Sequence, residues 1–165
     1  MPHHIRAFLG HRYNIIPLSK KWFREYIQLP QGVCMLFLTD SLFDDISESI
    51  NVPNTQSEDG FQFLTQPIKL VLEEYSQNNG KLAYIETDYH GGTGSQSAVL
   101  FEGGKKTISK VTDDFSSESK PTNLSEWAIN SVLSALGVQK SRDEFESINL
   151  GDYRTMPDED EEDDE

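Results

Sequence analysis

The sequence is poor in cysteine, which limits the redox chemistry of the protein and excludes stabilisation by internal disulfides. Its 165 residues include one cysteine, Cys34, so no disulfide can form within the chain. Cys34 lies in the apolar run of residues 32–38, where a free cysteine usually packs as a small hydrophobic side chain. The alternative, a catalytic thiol, needs a polar and partly exposed setting. We therefore expect Cys34 to be buried and the fold to depend on a hydrophobic core.

Long apolar runs are lacking too. No window approaches the roughly 20 apolar residues that span a membrane, and the run at residues 32–38 has the length of a buried strand. The N-terminal segment turns polar again at His11 and has neither the apolar core nor the cleavage site of a secretory signal. These absences predict a cytoplasmic protein that does not contact a membrane.

Basic residues are scarce relative to acidic ones. The chain has 14 Lys and Arg against 28 Asp and Glu, a net charge of -14. Residues 158–165 are all acidic, so they carry -8 and leave -6 on residues 1–157. Like charges repel and offer nothing apolar to bury, so we expect a domain of residues 1–156 and a disordered acidic tail of residues 157–165. The charge argues against nucleic acid as a partner; the tail either aids solubility or docks on a basic protein.

The pattern of apolar residues and turn residues predicts one α+β domain. Its 36% hydrophobic residues are enough for a single core. Residues 24–38 predict a hairpin, since Pro30 and Gly32 separate two strand-like runs, and residues 84–111 predict a three-stranded meander. The expected architecture is a single domain with a mainly antiparallel sheet, a hairpin plus a three-stranded meander, packed by helices.

Helices are expected before, between and after these strands. Pro17 restricts a helix within residues 15–22, because proline fits only the first turn. Thr39 or Asp40 is expected to cap a helix that runs to about residue 50, and Thr65 a helix with Pro67 in its first turn. Capping boxes that begin at Asn123 and Ser141 predict two further helices.

The residues best able to do chemistry lie between residues 84 and 101, in a strand, a glycine-rich turn and a second strand. Side chains alternate along a strand, so Glu86, Asp88 and His90 share one face. Two carboxylates and an imidazole suit a divalent ion such as Mg²⁺, Mn²⁺ or Zn²⁺, or acid–base chemistry. The same alternation is typical of the solvent side of a sheet whose other side covers the core. Both interpretations stay open, and no metal is assigned.

The turn contains Gly91, Gly92 and Gly94, followed by Ser95. Successive backbone N–H groups in such a turn can bind an anion, which makes these residues candidates for ligand binding. A hairpin turn with a bulge explains the same glycines. The sequence contains no P-loop motif, and a strand follows Gly94 where a dinucleotide fingerprint needs a helix. It contains no Gly-x-Ser-x-Gly either, so we assign no catalytic residue.

Two N-terminal histidines and one tryptophan remain. His3 and His4 point to opposite sides of any strand, so they offer at most a weak surface metal site. Trp22 is either a core residue or an exposed anchor for a partner.

Six short segments carry a resemblance to a known family. They are LPQG at residues 29–32 with LTDSLFD at 38–44, AYIETDYHGGTGSQSAV at 83–99, and the pairs and triplets at 129–130, 136–138 and 143–145. On these segments the chain resembles a family of small bacterial cytoplasmic proteins without an established activity, over the body of the chain to about Arg154. This resemblance implies a bacterial α+β fold and no substrate, and His90 stands where the family motif has an aromatic residue. In size and charge the chain is also similar to immunity proteins that neutralise toxins.

Two functions follow as hypotheses. The first is a non-enzymatic acidic module that binds a protein partner, immunity-like and without a cofactor. The second is a small enzyme or ligand-binding protein that uses the Glu86, Asp88 and His90 face with the turn at residues 91–94. The missing catalytic motifs favour the first.

Overall fold

The computed structural model describes residues 3–52, 56–77, 80–90, 93–113, 126–140 and 144–157. The strands are β1 (Arg6–His11), β2 (Ile27–Gln28), β3 (Val33–Phe37), β4 (Lys81–His90), β5 (Thr93–Glu102) and β6 (Lys105–Asp113). The helices are α1 (Arg12–Trp22), α2 (Asp40–Ser49), α3 (Gln66–Tyr75), α4 (Ala128–Ala135) and α5 (Glu144–Ser147), with 3-10 turns at Pro30–Gly32 and Leu150–Asp152.

The strands form one six-stranded sheet in the order β2-β3-β1-β4-β5-β6, and each neighbouring pair is antiparallel. This confirms the predicted α+β class, with β2 and β3 as the hairpin and β4 to β6 as the meander. Strands β4 and β5 pair regularly from Lys81 opposite Glu102 to His90 opposite Thr93. This register shows no bulge in the described residues beside the glycine turn, and Gly91 and Gly92 lie outside the described residues. A separate irregularity lies between Leu100 and Phe101, where β5 pairs with β6.

Both faces of the sheet are covered. Helices α1, α2 and α3 pack on one face, where the buried strand residues are Phe8, Cys34, Leu36, Leu82, Tyr84, Val99 and Phe101. Helix α4 and the segment that follows it pack on the other face, on Ile5, Ala7, Leu9, Met35, Ala83, Ile85, Ala98 and Leu100. The solvent-facing interpretation that the sequence left open for the face of Glu86, Asp88 and His90 therefore does not extend to the rest of the sheet, because a second apolar layer closes it.

Local sequence signals explain several of the element boundaries. Cys34 is buried in β3, as expected, and burial raises the pKa of its thiol. The side chain of Thr39 accepts a hydrogen bond from the Leu42 backbone N–H at 3.2 Å and begins α2. Helix α1 begins earlier than predicted, at Arg12, so Pro17 lies inside it instead of in its first turn.

Some predictions fall outside the described residues. They concern the caps at Asn123 and Ser141 and the acidic residues 158–165. In the part of the chain that the structure does describe, no helix has both the length and the apolar character needed to cross a membrane.

Candidate functional site

Strand pairing determines which side chains meet at the end of β4. Arg6 in β1 lies opposite Glu86, and an isolated bridge places His3 opposite Tyr89. His4 therefore lies opposite Asp88, which faces Ser95 of β5 on its other side. Residues paired in this way project to the same face, so His4, Asp88 and Ser95 share the face that Glu86 also occupies.

The Glu86 carboxylate lies inside the protein and is 8% exposed. Its two oxygens accept hydrogen bonds from the backbone N–H groups of Gln62 and Phe63, at 2.6 and 2.8 Å. One oxygen also accepts from the Tyr84 hydroxyl at 2.6 Å. Glu86 thus fastens the loop before α3 to the sheet, and its lone pairs are used for structure.

Charged and aromatic groups surround this carboxylate. The Arg6 guanidinium donates to the Leu38 carbonyl at 3.0 Å and to Asp40 at 2.7 Å, and it lies 3.8 Å from the centre of the Phe63 ring. Burial raises the pKa of Tyr84 well above its ordinary value, and the neighbouring Glu86 carboxylate raises it further. The Tyr84 hydroxyl therefore stays protonated and remains a hydrogen-bond donor to Glu86.

Asp88 and His90 lie beyond the covered area, together with a residue that was not predicted to join them. An Asp88 oxygen is 3.2 Å from His90 Nε2 and 3.7 Å from His4 Nδ1. The side chains are 43% exposed for Asp88, 71% for His90 and 45% for His4. Of the three residues predicted to share a site, the structure keeps Asp88 and His90 at the surface, buries Glu86 and adds His4. The alternation of side chains, which places His3 and His4 on opposite faces of a strand, was the sequence signal that could have added His4 to the predicted site.

A small depression lies between this cluster and Glu86. Its volume is about 40 Å³, and Ser95, Ser97 and Gln62 contribute polar groups to its lining. That volume holds about one water molecule and is far below the roughly 300–1,000 Å³ of a small-molecule site.

The glycines of the turn have different settings. Gly94 lies in β5, and a Cβ built there would be 2.0 Å from the Asp88 carbonyl oxygen, so the close approach of two strands explains this glycine. Gly91 and Gly92 lie outside the described residues. The pairing of β4 with β5 confirms the predicted hairpin.

His3 faces the opposite side of the sheet, as predicted from its position next to His4. Its Nδ1 lies 2.8 Å from the Thr87 hydroxyl and its Nε2 lies 3.1 Å from the Leu150 carbonyl oxygen. Burial lowers the pKa of His3; the hydrogen bond to Leu150 raises it in part, and the charge of Arg154 lowers it. His3 therefore links the two ends of the described chain as a neutral ring.

A second surface feature lies at the end of α1. Phe23 follows the helix in a left-handed conformation, with φ 55° and ψ 46°, and it is 90% exposed. A helix usually has glycine at such a position, because a side chain makes this conformation unfavourable. Beside it lies an open groove of about 460 Å³, which we call the Phe23 groove. It is lined by Lys21, Trp22, Phe23, Arg24, Asp45, Glu48 and Ser49.

Arg24 holds this turn in place. Its guanidinium donates to the Trp22 carbonyl at 2.7 Å, to the Ser41 hydroxyl at 2.9 Å and to Asp45 at 2.8 Å. Its backbone N–H donates to the Ser19 carbonyl at 3.1 Å. Trp22 is partly buried against the α1 to α3 side of the core, so of its two predicted roles the structure favours core packing over an exposed anchor.

Comparison with known proteins adds no further constraint. No family model, curated protein or solved structure matches the chain. The resemblance to small bacterial proteins of similar motif therefore stays a prediction.

Proposed function

We propose that the protein is a non-enzymatic binding module of the bacterial cytoplasm that docks on a basic protein partner, in the manner of an immunity or inhibitor protein. The observation that carries this proposal is Phe23, a large aromatic side chain that is 90% exposed on a turn held by Arg24. Aromatic residues that insert into a pocket of a partner supply much of the binding energy of protein interfaces. A turn that is already rigid loses little entropy on binding.

The charge beside Phe23 indicates the chemistry of the partner. The ten residues of α2 include Asp40, Asp44, Asp45 and Glu48 and no lysine or arginine. All four acids are exposed. Asp40 pairs with Arg6, and Asp45 pairs with Arg24. The expected attraction for a basic partner therefore rests on Asp44 and Glu48. A partner with a hydrophobic pocket surrounded by basic residues would match this combination, and complementary charge would speed its association.

The polar end of β4 supports a binding role over an enzymatic one. Glu86 is engaged by three hydrogen-bond donors, and the depression next to it has room for about one water molecule. A substrate-sized cavity with converging catalytic groups would be expected of an enzyme. The Phe23 groove is larger, but it is wide open, and two of its charged side chains, Arg24 and Asp45, are engaged with each other.

The test is affinity capture from a lysate of the organism that makes the protein, with the full chain as bait. We expect a basic partner whose capture is lost with Phe23→Ser, is weakened by Asp44→Lys/Glu48→Lys, and decreases as salt is raised. Tyr13→Ser is the matched control, because Tyr13 is 68% exposed at the other end of the same helix.

Two results would contradict the proposal. One is equal capture of the partner by the wild type and Phe23→Ser. The other is capture that depends only on residues 158–165, because the acidic tail would then be the docking element.

A further inference from the structure

We propose that His4, Asp88 and His90 form a binding site for a divalent transition-metal ion, with Zn²⁺ as the representative. The site shares no residue with the Phe23 groove, so a test of metal binding gives a result that is independent of the proposed partner binding. It also differs from the site predicted from the sequence, because His4, which precedes β1, replaces Glu86.

The backbone presents the three side chains from a fixed frame. On one side of the His4 and Asp88 pair, His3 and Tyr89 exchange two backbone hydrogen bonds, of 3.0 and 2.9 Å. On the other side, Arg6 pairs with Glu86 in the regular ladder. Asp88 and His90 lie in β4, and the bridge at His3 holds the neighbouring His4 beside them. Little backbone ordering is therefore needed when a metal binds.

The distances between the ligand atoms suit one shared ion. One nitrogen of each imidazole and one Asp88 oxygen all lie within 4.8 Å of one another. Ligands about 2.0–2.1 Å from a tetrahedral Zn²⁺ lie about 3.3–3.4 Å from each other. The separations of 3.2 Å for His90 and 3.7 Å for His4 from the Asp88 oxygen are already close to that value. Small rotations of three partly exposed side chains are enough to reach it.

The donor atoms indicate the class of metal. Two imidazole nitrogens and one carboxylate oxygen favour Zn²⁺, Co²⁺, Ni²⁺ or Fe²⁺ over Mg²⁺ and Ca²⁺, which prefer ligand sets made of oxygen. Three protein ligands leave at least one coordination position for water or another small ligand. The depression of about 40 Å³ next to Asp88 provides space for that water.

The other charged groups at this depression offset each other. Arg6 contributes a positive charge that is paired with Asp40, and Glu86 contributes a negative charge. Ser95, on the strand next to Asp88, contributes a neutral polar group to the same lining. The local field therefore depends mainly on Asp88, which favours a cation.

The experiment is titration of the full chain, without a histidine tag, with Zn²⁺ by calorimetry and with Co²⁺ by visible absorption. We expect one ion per chain, and d–d bands of Co²⁺ that report a site with nitrogen and oxygen ligands. His4→Ala, Asp88→Asn and His90→Ala should each weaken binding by about tenfold or more, and His4→Ala/His90→Ala should abolish it. His11→Ala removes an imidazole outside the cluster and should bind like the wild type.

Because all three ligands are partly exposed, these variants are expected to fold, and circular dichroism checks this before each titration. An excess of Mg²⁺ should not displace Co²⁺. The proposal is overturned if the His4→Ala/His90→Ala protein binds Zn²⁺ as tightly as the wild type, if the wild type binds no Zn²⁺ up to millimolar concentration, or if Mg²⁺ competes on equal terms.

Discussion

Glu86 is a carboxylate that serves the fold. In Glu86→Gln, an amide N–H₂ group would meet donors where a carboxylate now accepts from Gln62, Phe63 and Tyr84. The amide oxygen of glutamine still accepts, so at least one buried donor loses its acceptor; this costs about 1–3 kcal/mol, and we expect the free energy of unfolding to decrease by about that amount. Urea denaturation in metal-free buffer measures it.

Asp88→Asn is the control for this change, since it makes the same chemical substitution two residues further along the strand. Asp88 is 43% exposed and its two histidine neighbours lie at the surface. Surface ion pairs contribute about 0–1 kcal/mol, so its loss should be small. Equal destabilisation by both substitutions would show that Glu86 has no special structural role.

For a single residue, the sequence predicts the face of the strand on which the side chain lies better than it predicts which other groups surround that side chain. Alternation correctly separated His3 from His4 and correctly placed Glu86, Asp88 and His90 on one face. It could not show that the loop before α3 crosses Glu86 and stops short of Asp88. That loop is distant in sequence, and its Gln62 and Phe63 act through backbone N–H groups, which carry no sequence signal.

Two helices test the capping rule with the same amino acid. Thr39 precedes α2 and its hydroxyl accepts from Leu42, whereas Thr65 precedes α3 without a side-chain cap, and its buried hydroxyl has no hydrogen-bond partner. Thr39→Val should therefore cost about 1 kcal/mol of unfolding free energy. Thr65→Val should be neutral or stabilising, because a methyl group replaces an unpaired buried hydroxyl.

Thermal and urea denaturation of the two variants measure the difference. A loss from Thr65→Val as large as that from Thr39→Val would mean that Thr65 also caps its helix. The pair is informative because the sequence predicted a cap at Thr39 or Asp40 for one helix and at Thr65 for the other. Whether the side chain turns toward the helix depends on the approach of the preceding loop.

The elements themselves were largely predictable, and their arrangement was less so. Proline and glycine between strand-like runs gave the hairpin, and short glycine turns gave the meander, because these signals are local. The sheet order and the helices on both faces depend on contacts between distant segments. The apolar residues on both sides of β4, such as Tyr84 and Ile85, were the available signal for a second layer.

At the scale of the whole molecule, His3 connects the two ends of the described chain. Its ring lies between Thr87 and Leu150, and the backbone N–H of His4 donates to the Arg154 carbonyl at 2.8 Å. Burial lowers the pKa of His3 below its ordinary value of 6.5, so the unfolded chain binds the proton more readily than the folded one. Its contribution to stability is present above about pH 6.5 and is lost as the pH falls below that value.

Urea denaturation at several pH values between about 7.5 and 5 measures this effect. We expect the wild type to lose more stability over this range than His3→Gln, which cannot titrate. His11→Gln should keep the dependence of the wild type. Parallel curves for the wild type and His3→Gln would show that other groups cause the acid sensitivity.

The two-sided covering of the sheet has a consequence for synthesis on the ribosome. The last strand ends at Asp113, but the helix that covers the second face begins at Ala128, and Leu150 completes that cover. A nascent chain can therefore assemble its sheet while Ile5, Ala83 and Ile85 still face water. During this interval the emerging protein carries an apolar surface that chaperones or neighbouring chains can bind. Early termination between residues 113 and 128 is expected to yield an aggregation-prone product, although all six strands of the described sheet are present.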